Sequence, residues 1–114
     1  AQWLQIRRES PDFVIMWGWG AMNAGAITEA VKTRYPMDQF IGVWWAGHSD
    51  DLQLVGEDGI GYRAISWSLP NPDAPVMAAI EEHVGDKSLA DAEERSEVFY
   101  GRGIIISEIL AEGN

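Results

Sequence analysis

Two short β-prone runs, each ending in tryptophan and separated by one helical segment, constrain this chain most strongly. The first occupies residues 13–19 and reads Phe-Val-Ile-Met-Trp-Gly-Trp, and the second occupies residues 40–45 and reads Phe-Ile-Gly-Val-Trp-Trp. Continuous apolar runs of this length are typical of strands buried on both faces of a parallel sheet. Parallel neighbours need a crossover, and the segment between them supplies a helical stripe of Ile27, Ala30 and Val31.

The rest of the chain continues the alternation. A third strand is predicted at residues 62–67, after a short helix that carries Leu52 and Val55. Asn23 is predicted to cap the helix between the first two strands, and a further helix is predicted at residues 2–9. Asp73 is predicted to cap another helix, which has Pro75 in its first turn and is stopped by Gly85, and a last helix carries Val98, Ile105 and Ile109 on one side. This order predicts an α/β fold in three layers, with a parallel sheet between helices on both faces.

Charge and composition exclude several classes of function. The 114 residues carry 18 acidic and 8 basic side chains, a formal net charge of −10. Such a chain repels nucleic acid and anionic lipid. The absence of cysteine excludes disulfides and thiolate chemistry, and it suits an oxidising compartment. The sequence has no run of 18 apolar residues, and no membrane span is predicted. Because the chain begins without methionine, we expect it to be a piece of a longer protein.

The strand ends point to a binding site. Ligands of open parallel sheets bind just beyond the carboxyl ends of the strands. Four of the six tryptophans follow or end the two runs, and glycines beside them let a ligand approach the backbone. For any single ring the alternative is an ordinary place in the core. The predicted ligand-binding residues are Trp17, Trp19, Gly20, Ala21, Trp44 and Trp45.

Catalytic motifs are poorly represented. His48, Asp50 and Asp51 share one loop and form either an acid/base or metal site or, more simply, a loop with a helix cap. Gly18 and Gly20 are not followed by a third glycine at the spacing of a dinucleotide-binding loop. We therefore expect no catalytic residues, no metal and no cofactor.

Several segments resemble a known family. Residues 11–20, Pro-Asp-Phe-Val-Ile-Met-Trp-Gly-Trp-Gly, resemble a strand and loop of branched-chain amino acid-type ABC transporter substrate-binding proteins, which are type I periplasmic binding proteins. Residues 40–47 resemble the next strand of that family, and residues 59–62 resemble a Gly-Tyr element before a further strand. Residues 100–103, Tyr-Gly-Arg-Gly, look like the start of a helix that returns to the first lobe. The resemblance covers roughly residues 8–112.

This resemblance implies a division of the chain and a function. Residues 1–90 would be a partial second lobe, and residues 91–114 a helix belonging with the first lobe. The protein would be the non-enzymatic, periplasmic or extracytoplasmic solute-binding component of an ABC importer, closing on a small molecule and delivering it to a permease. The alternatives are a ligand-sensing regulatory domain of the same fold and an enzyme that uses the His48 loop.

The resemblance also bears on the ligand. Trp19 would lie where the family places an aromatic residue against its ligand, and Trp44 would replace the acidic residue that holds an ammonium group. Within this Leu/Ile/Val-binding type of family, that replacement disfavours an unmodified α-amino acid and favours an apolar or aromatic acid, an amide or another small organic solute. We further expect the isolated chain to bind its solute weakly and to self-associate through its isoleucine-rich last helix.

Overall fold

The computed structural model describes residues 2–68, 71, 73–84 and 98–113. The chain divides into two compact units, Ala1–Trp67 and Ser68–Asn114. The predicted boundary at residue 90 lies outside the described residues, and the division into lobes stays a prediction. Among the described residues, no helix is long and apolar enough to cross a membrane.

The first unit is built on a parallel sheet. Strands β1 (Val14–Met16), β2 (Phe40–Gly42) and β3 (Arg63–Ala64) lie in that order, with Val14 opposite Phe40 and Gly42 opposite Ala64. The α/β class predicted from the sequence is therefore confirmed. This unit also contains two helices, α1 (Gln2–Glu9) and α2 (Ala21–Lys32). Its three short 3-10 turns are Met37–Gln39, Ser49–Leu52 and Gly56–Gly59.

The core of this unit lies between α2 and the start of β2. Ile27 and Ala30 of the predicted helical stripe are completely buried, and Phe40 is 1% exposed. The Phe40 ring contacts Trp3 at 5.0 Å and Tyr62 at 5.2 Å between centroids, both edge to face. Such pairs add to the burial of apolar area, so this aromatic group stabilises the amino-terminal end of the sheet.

The strands are shorter than the sequence suggested. The predicted second strand extends to residue 45, but β2 ends at Gly42 and a turn follows, closed by a hydrogen bond from the Ala46 N–H to the Val43 carbonyl. Tyr62 explains the change, because its hydroxyl donates to the Ala46 carbonyl at 2.8 Å and occupies the space where a side chain on residue 42 would lie. Burial raises the pKa of the Tyr62 hydroxyl, and the charge of Asp51 adds to the shift.

The second unit contains helices α3 (Pro75–Val84) and α4 (Val98–Glu112). Arg102 of α4 is a buried charged residue, with 6% of its surface exposed. Its Nε donates to the Ser68 hydroxyl at 3.3 Å, and its guanidinium lies 5.1 Å from the centre of the Phe99 ring. Burial lowers the pKa of Arg102.

Candidate ligand-binding site

The first two strands leave the sheet at the same edge. Because β1 and β2 are parallel and aligned, with Met16 opposite Gly42, their following residues emerge side by side. The Val43 N–H donates to the Met16 carbonyl at 3.1 Å, which continues the pairing one residue past β2. The loop after β1 therefore faces the turn after β2, and these two segments carry the predicted ligand-binding residues.

The structure brings all four predicted tryptophans into contact. Trp17 meets Trp44 at 5.8 Å between ring centroids, Trp44 meets Trp45 at 4.7 Å, and Trp45 meets Trp19 at 6.0 Å. The outer two contacts are edge to face, with interplanar angles of 73° and 88°. We call this continuous row of rings the four-tryptophan cluster.

The cluster is open to its surroundings. Trp17 and Trp19 are 69% and 63% exposed, Trp45 is exposed, and Trp44 is half-buried. Gly20 and Ala21 are also exposed at the start of α2, and Gly20 has a φ of 56°, a left-handed conformation that favours glycine. The six predicted residues thus share one accessible edge; their contact with a ligand stays a prediction.

A buried asparagine forms hydrogen bonds to the turn at this edge. Asn23 is 1% exposed, and its Nδ2 donates to the Trp45 carbonyl at 3.0 Å and to Asp51 Oδ2 at 3.1 Å. The Trp45 carbonyl and the Asp51 carboxylate are both hydrogen-bond acceptors, so the NH2 group of the Asn23 amide must face them. Asn23 Oδ1 has no hydrogen-bond partner and lies against Gly18, where an added Cβ would come within 2.9 Å of it. Asn23 therefore joins both strand-end loops to Asp51.

The sequence assigned Asn23 a different role. The helix cap is Gly20, and Asn23 lies in the first turn of α2 with its side chain turned to the core, so the predicted cap is wrong. The sequence contained one usable signal, since a polar residue on the buried stripe four positions before Ile27 needs internal partners. Its partners are separated from it by 22 and 28 residues, however, and no local pattern identifies them.

The His48 loop is arranged as a cap. His48 Nδ1 accepts a hydrogen bond from the Asp50 N–H at 3.2 Å, at the start of the turn Ser49–Leu52. Asp51 points away to Asn23, and burial raises the pKa of its carboxyl, an effect that the Asn23 hydrogen bond opposes. Within the described ranges, no three histidine, aspartate or glutamate side chains are grouped so that they could hold a metal ion.

The opposite edge of the sheet carries a groove of about 320 Å³. It lies at the carboxyl ends of α1 and α2 and includes Arg7 and Arg34 among its lining residues. Helix carboxyl ends carry partial negative charge, and basic side chains near them offset it. The arginines therefore have a structural explanation, and this groove is a weaker candidate than the four-tryptophan cluster.

Comparison with known proteins yields one informative match. No family model matches the chain, and no curated protein matches it. It is similar to a crystal structure described as an ABC transporter permease from the Pseudomonas fluorescens group, with 28% identity and a TM-score of 0.79. The match covers 95% of this chain and 27% of that one, so this chain spans about a quarter of that protein's length.

This match corrects the family predicted from the sequence. The similar protein is described as a permease and not as a substrate-binding protein, so the identification as a solute-binding component of an ABC importer is wrong. The strand-and-glycine motifs behind that identification belong to local α/β structure. Local structure of this kind occurs with many functions, because function lies in the site and not in the fold.

Proposed function

We propose that this chain is a non-catalytic segment of an ABC-transporter-related protein and that its four-tryptophan cluster binds small organic molecules. The similarity to a protein described as an ABC transporter permease supports the first part. The observation that carries the second part is the continuous contact among four rings at one exposed sheet edge.

The exposure of these rings supports binding over packing. An aromatic residue that only fills a core loses most of its contact with water, and Phe40 is an example in this chain. Trp17 and Trp19 keep more than half of their surface exposed, so burying that surface against a ligand remains favourable. Contiguous exposed apolar surface of this kind commonly marks a site of interaction.

A non-catalytic role fits the surroundings of the cluster. The neighbouring His48 and Asp50 are engaged in a helix cap, and Asp51 is held by Asn23. An extracytoplasmic location stays part of the proposal, and it is compatible with a chain that has no thiol for an oxidising compartment to modify.

Calorimetric titration tests the binding proposal. Indole, benzamide and choline, as one aromatic, one amide and one cationic probe, are titrated into the chain. At least one is expected to bind, with Trp19→Ala weakening it about tenfold, the scale of a lost aromatic contact. Phe13→Ala is the matched control, because Phe13 is 61% exposed but precedes β1 at the other end of the same strand. If none of the three probes binds, or if Trp19→Ala leaves every affinity unchanged, the proposal fails.

We also propose that the chain self-associates through α4. Ile106, Ile109 and Leu110 are large apolar residues that are half or more exposed on this helix. Sedimentation is expected to show a dimer, and Ile106→Lys with Ile109→Lys is expected to shift it to the monomer. A monomer for the unaltered chain at every concentration would contradict this proposal.

A further inference from the structure

The segments that carry the four-tryptophan cluster have an unusual charge pattern. Residues 13–31 and 40–62 contain no lysine or arginine. The charged residues of the turns after β2 are all acidic: Asp50, Asp51, Glu57 and Asp58. Glu29 lies near the carboxyl end of α2, where it is paired with Lys32, and does not contribute to this edge. The chain as a whole carries a net charge of −10, so the potential around this edge favours cations and disfavours anions.

The rings add a second preference of the same sign. The face of an aromatic ring carries the negative part of its quadrupole, and tryptophan attracts cations most strongly among the aromatic side chains. Trp19 and Trp45 stand at 88° to each other, and Trp17 and Trp44 at 73°. Rings that meet nearly at right angles form corners, and a compact cation in such a corner touches more than one ring.

A carboxylate is linked to the backbone of the cluster. Asp51 is linked through the Asn23 amide to the Trp45 carbonyl by two hydrogen bonds, of 3.1 and 3.0 Å. The bridge therefore ties one carboxylate to the turn that carries Trp44 and Trp45, and its negative charge adds to the acidic character of that turn.

From these three observations we infer that the four-tryptophan cluster selects an organic cation, of the quaternary ammonium class, over a neutral molecule of the same shape. The inference rests on the proposed function, because it names the ligand class of the same site. Quaternary ammonium groups suit such a site because they carry charge without N–H groups that would demand buried acceptors.

The direct test compares choline with 3,3-dimethylbutan-1-ol, in which carbon replaces the charged nitrogen and the shape is kept. Choline is expected to bind about tenfold more tightly, the scale of a cation–π contribution, and its affinity is expected to fall as salt is added. Equal affinities would overturn the inference, and so would indole binding without choline binding; both results leave the proposed function standing. If indole, benzamide and choline all fail to bind, the proposed function and this inference are both wrong.

A second variant distinguishes the contribution of the aromatic face of Trp19 from that of its apolar volume. Trp19→Leu keeps an apolar side chain but removes the aromatic face, so it is expected to weaken choline severalfold and to change the neutral alcohol little. Phe13→Leu is the matched control and is expected to change neither affinity. An equal loss for both compounds in Trp19→Leu would show that apolar contact alone matters and would overturn the inference.

Discussion

Replacement of Phe40 by alanine is expected to lower the free energy of unfolding by about 3–5 kcal/mol, the range for a large aromatic residue lost from a core. The Phe40 ring is 1% exposed and contacts both Trp3 and Tyr62, so alanine leaves a cavity beside these two rings. Trp19→Ala is expected to lower the same quantity by less than about 1 kcal/mol, because a mostly exposed ring has little burial to lose.

Chemical denaturation of the two variants measures this difference. Phe40→Leu keeps most of the apolar volume and is expected to lose less stability. Its free energy of unfolding can be measured if Phe40→Ala does not fold. A loss in Trp19→Ala as large as that in Phe40→Ala would contradict the account. It would show that the four-tryptophan cluster is part of the core and not a binding surface.

Asn23→Asp is expected to destabilise the chain by about 3–5 kcal/mol at pH 7, although the two side chains have nearly the same shape. The new carboxylate cannot donate to the Trp45 carbonyl, and it places a second negative charge against Asp51. The penalty should shrink as the pH falls towards about 4, because both carboxyls then take up protons and an O–H can donate again.

The pH dependence follows from the direction of the shift. A carboxyl whose pKa is raised by folding binds protons more tightly in the folded state, so stability is lost as the pH rises through its range. The pKa of Asp51 is already raised in the unaltered chain. Asp51→Asn is the matched control, because its amide oxygen can still accept from Asn23 while the partly buried charge is removed. That variant is expected to be at least as stable as the natural chain at pH 7, and a loss of several kcal/mol would contradict the assigned roles.

The site was predictable from the sequence where it depended on strand direction. Two parallel strands must end at the same edge, so the meeting of Trp17 and Trp19 with Trp44 and Trp45 follows from the α/β pattern. The angles between the rings did not follow, because they depend on the turn after Gly42. That turn is set by Tyr62, whose approach to Ala46 is a tertiary contact.

The supporting role of Asn23 was not predictable for the same reason. Asparagine near a helix start has a strong local explanation as a cap, and only the folded structure shows that Gly20 takes that place. The bridge from Trp45 through Asn23 to Asp51 joins three separate segments. Local patterns report secondary structure, whereas such a bridge depends on how the segments pack.

The most direct test of the binding surface is fluorine NMR of chain labelled with 5-fluorotryptophan, titrated with indole, benzamide and choline in turn. Single Trp→Phe variants assign the resonances. The account predicts that a bound probe shifts the resonances of Trp17, Trp19, Trp44 and Trp45 together, while Trp3, which packs on Phe40 at the opposite end of β2, stays unchanged. No shift in the cluster with any of the three probes, or a shift of Trp3 without the cluster, would contradict the account.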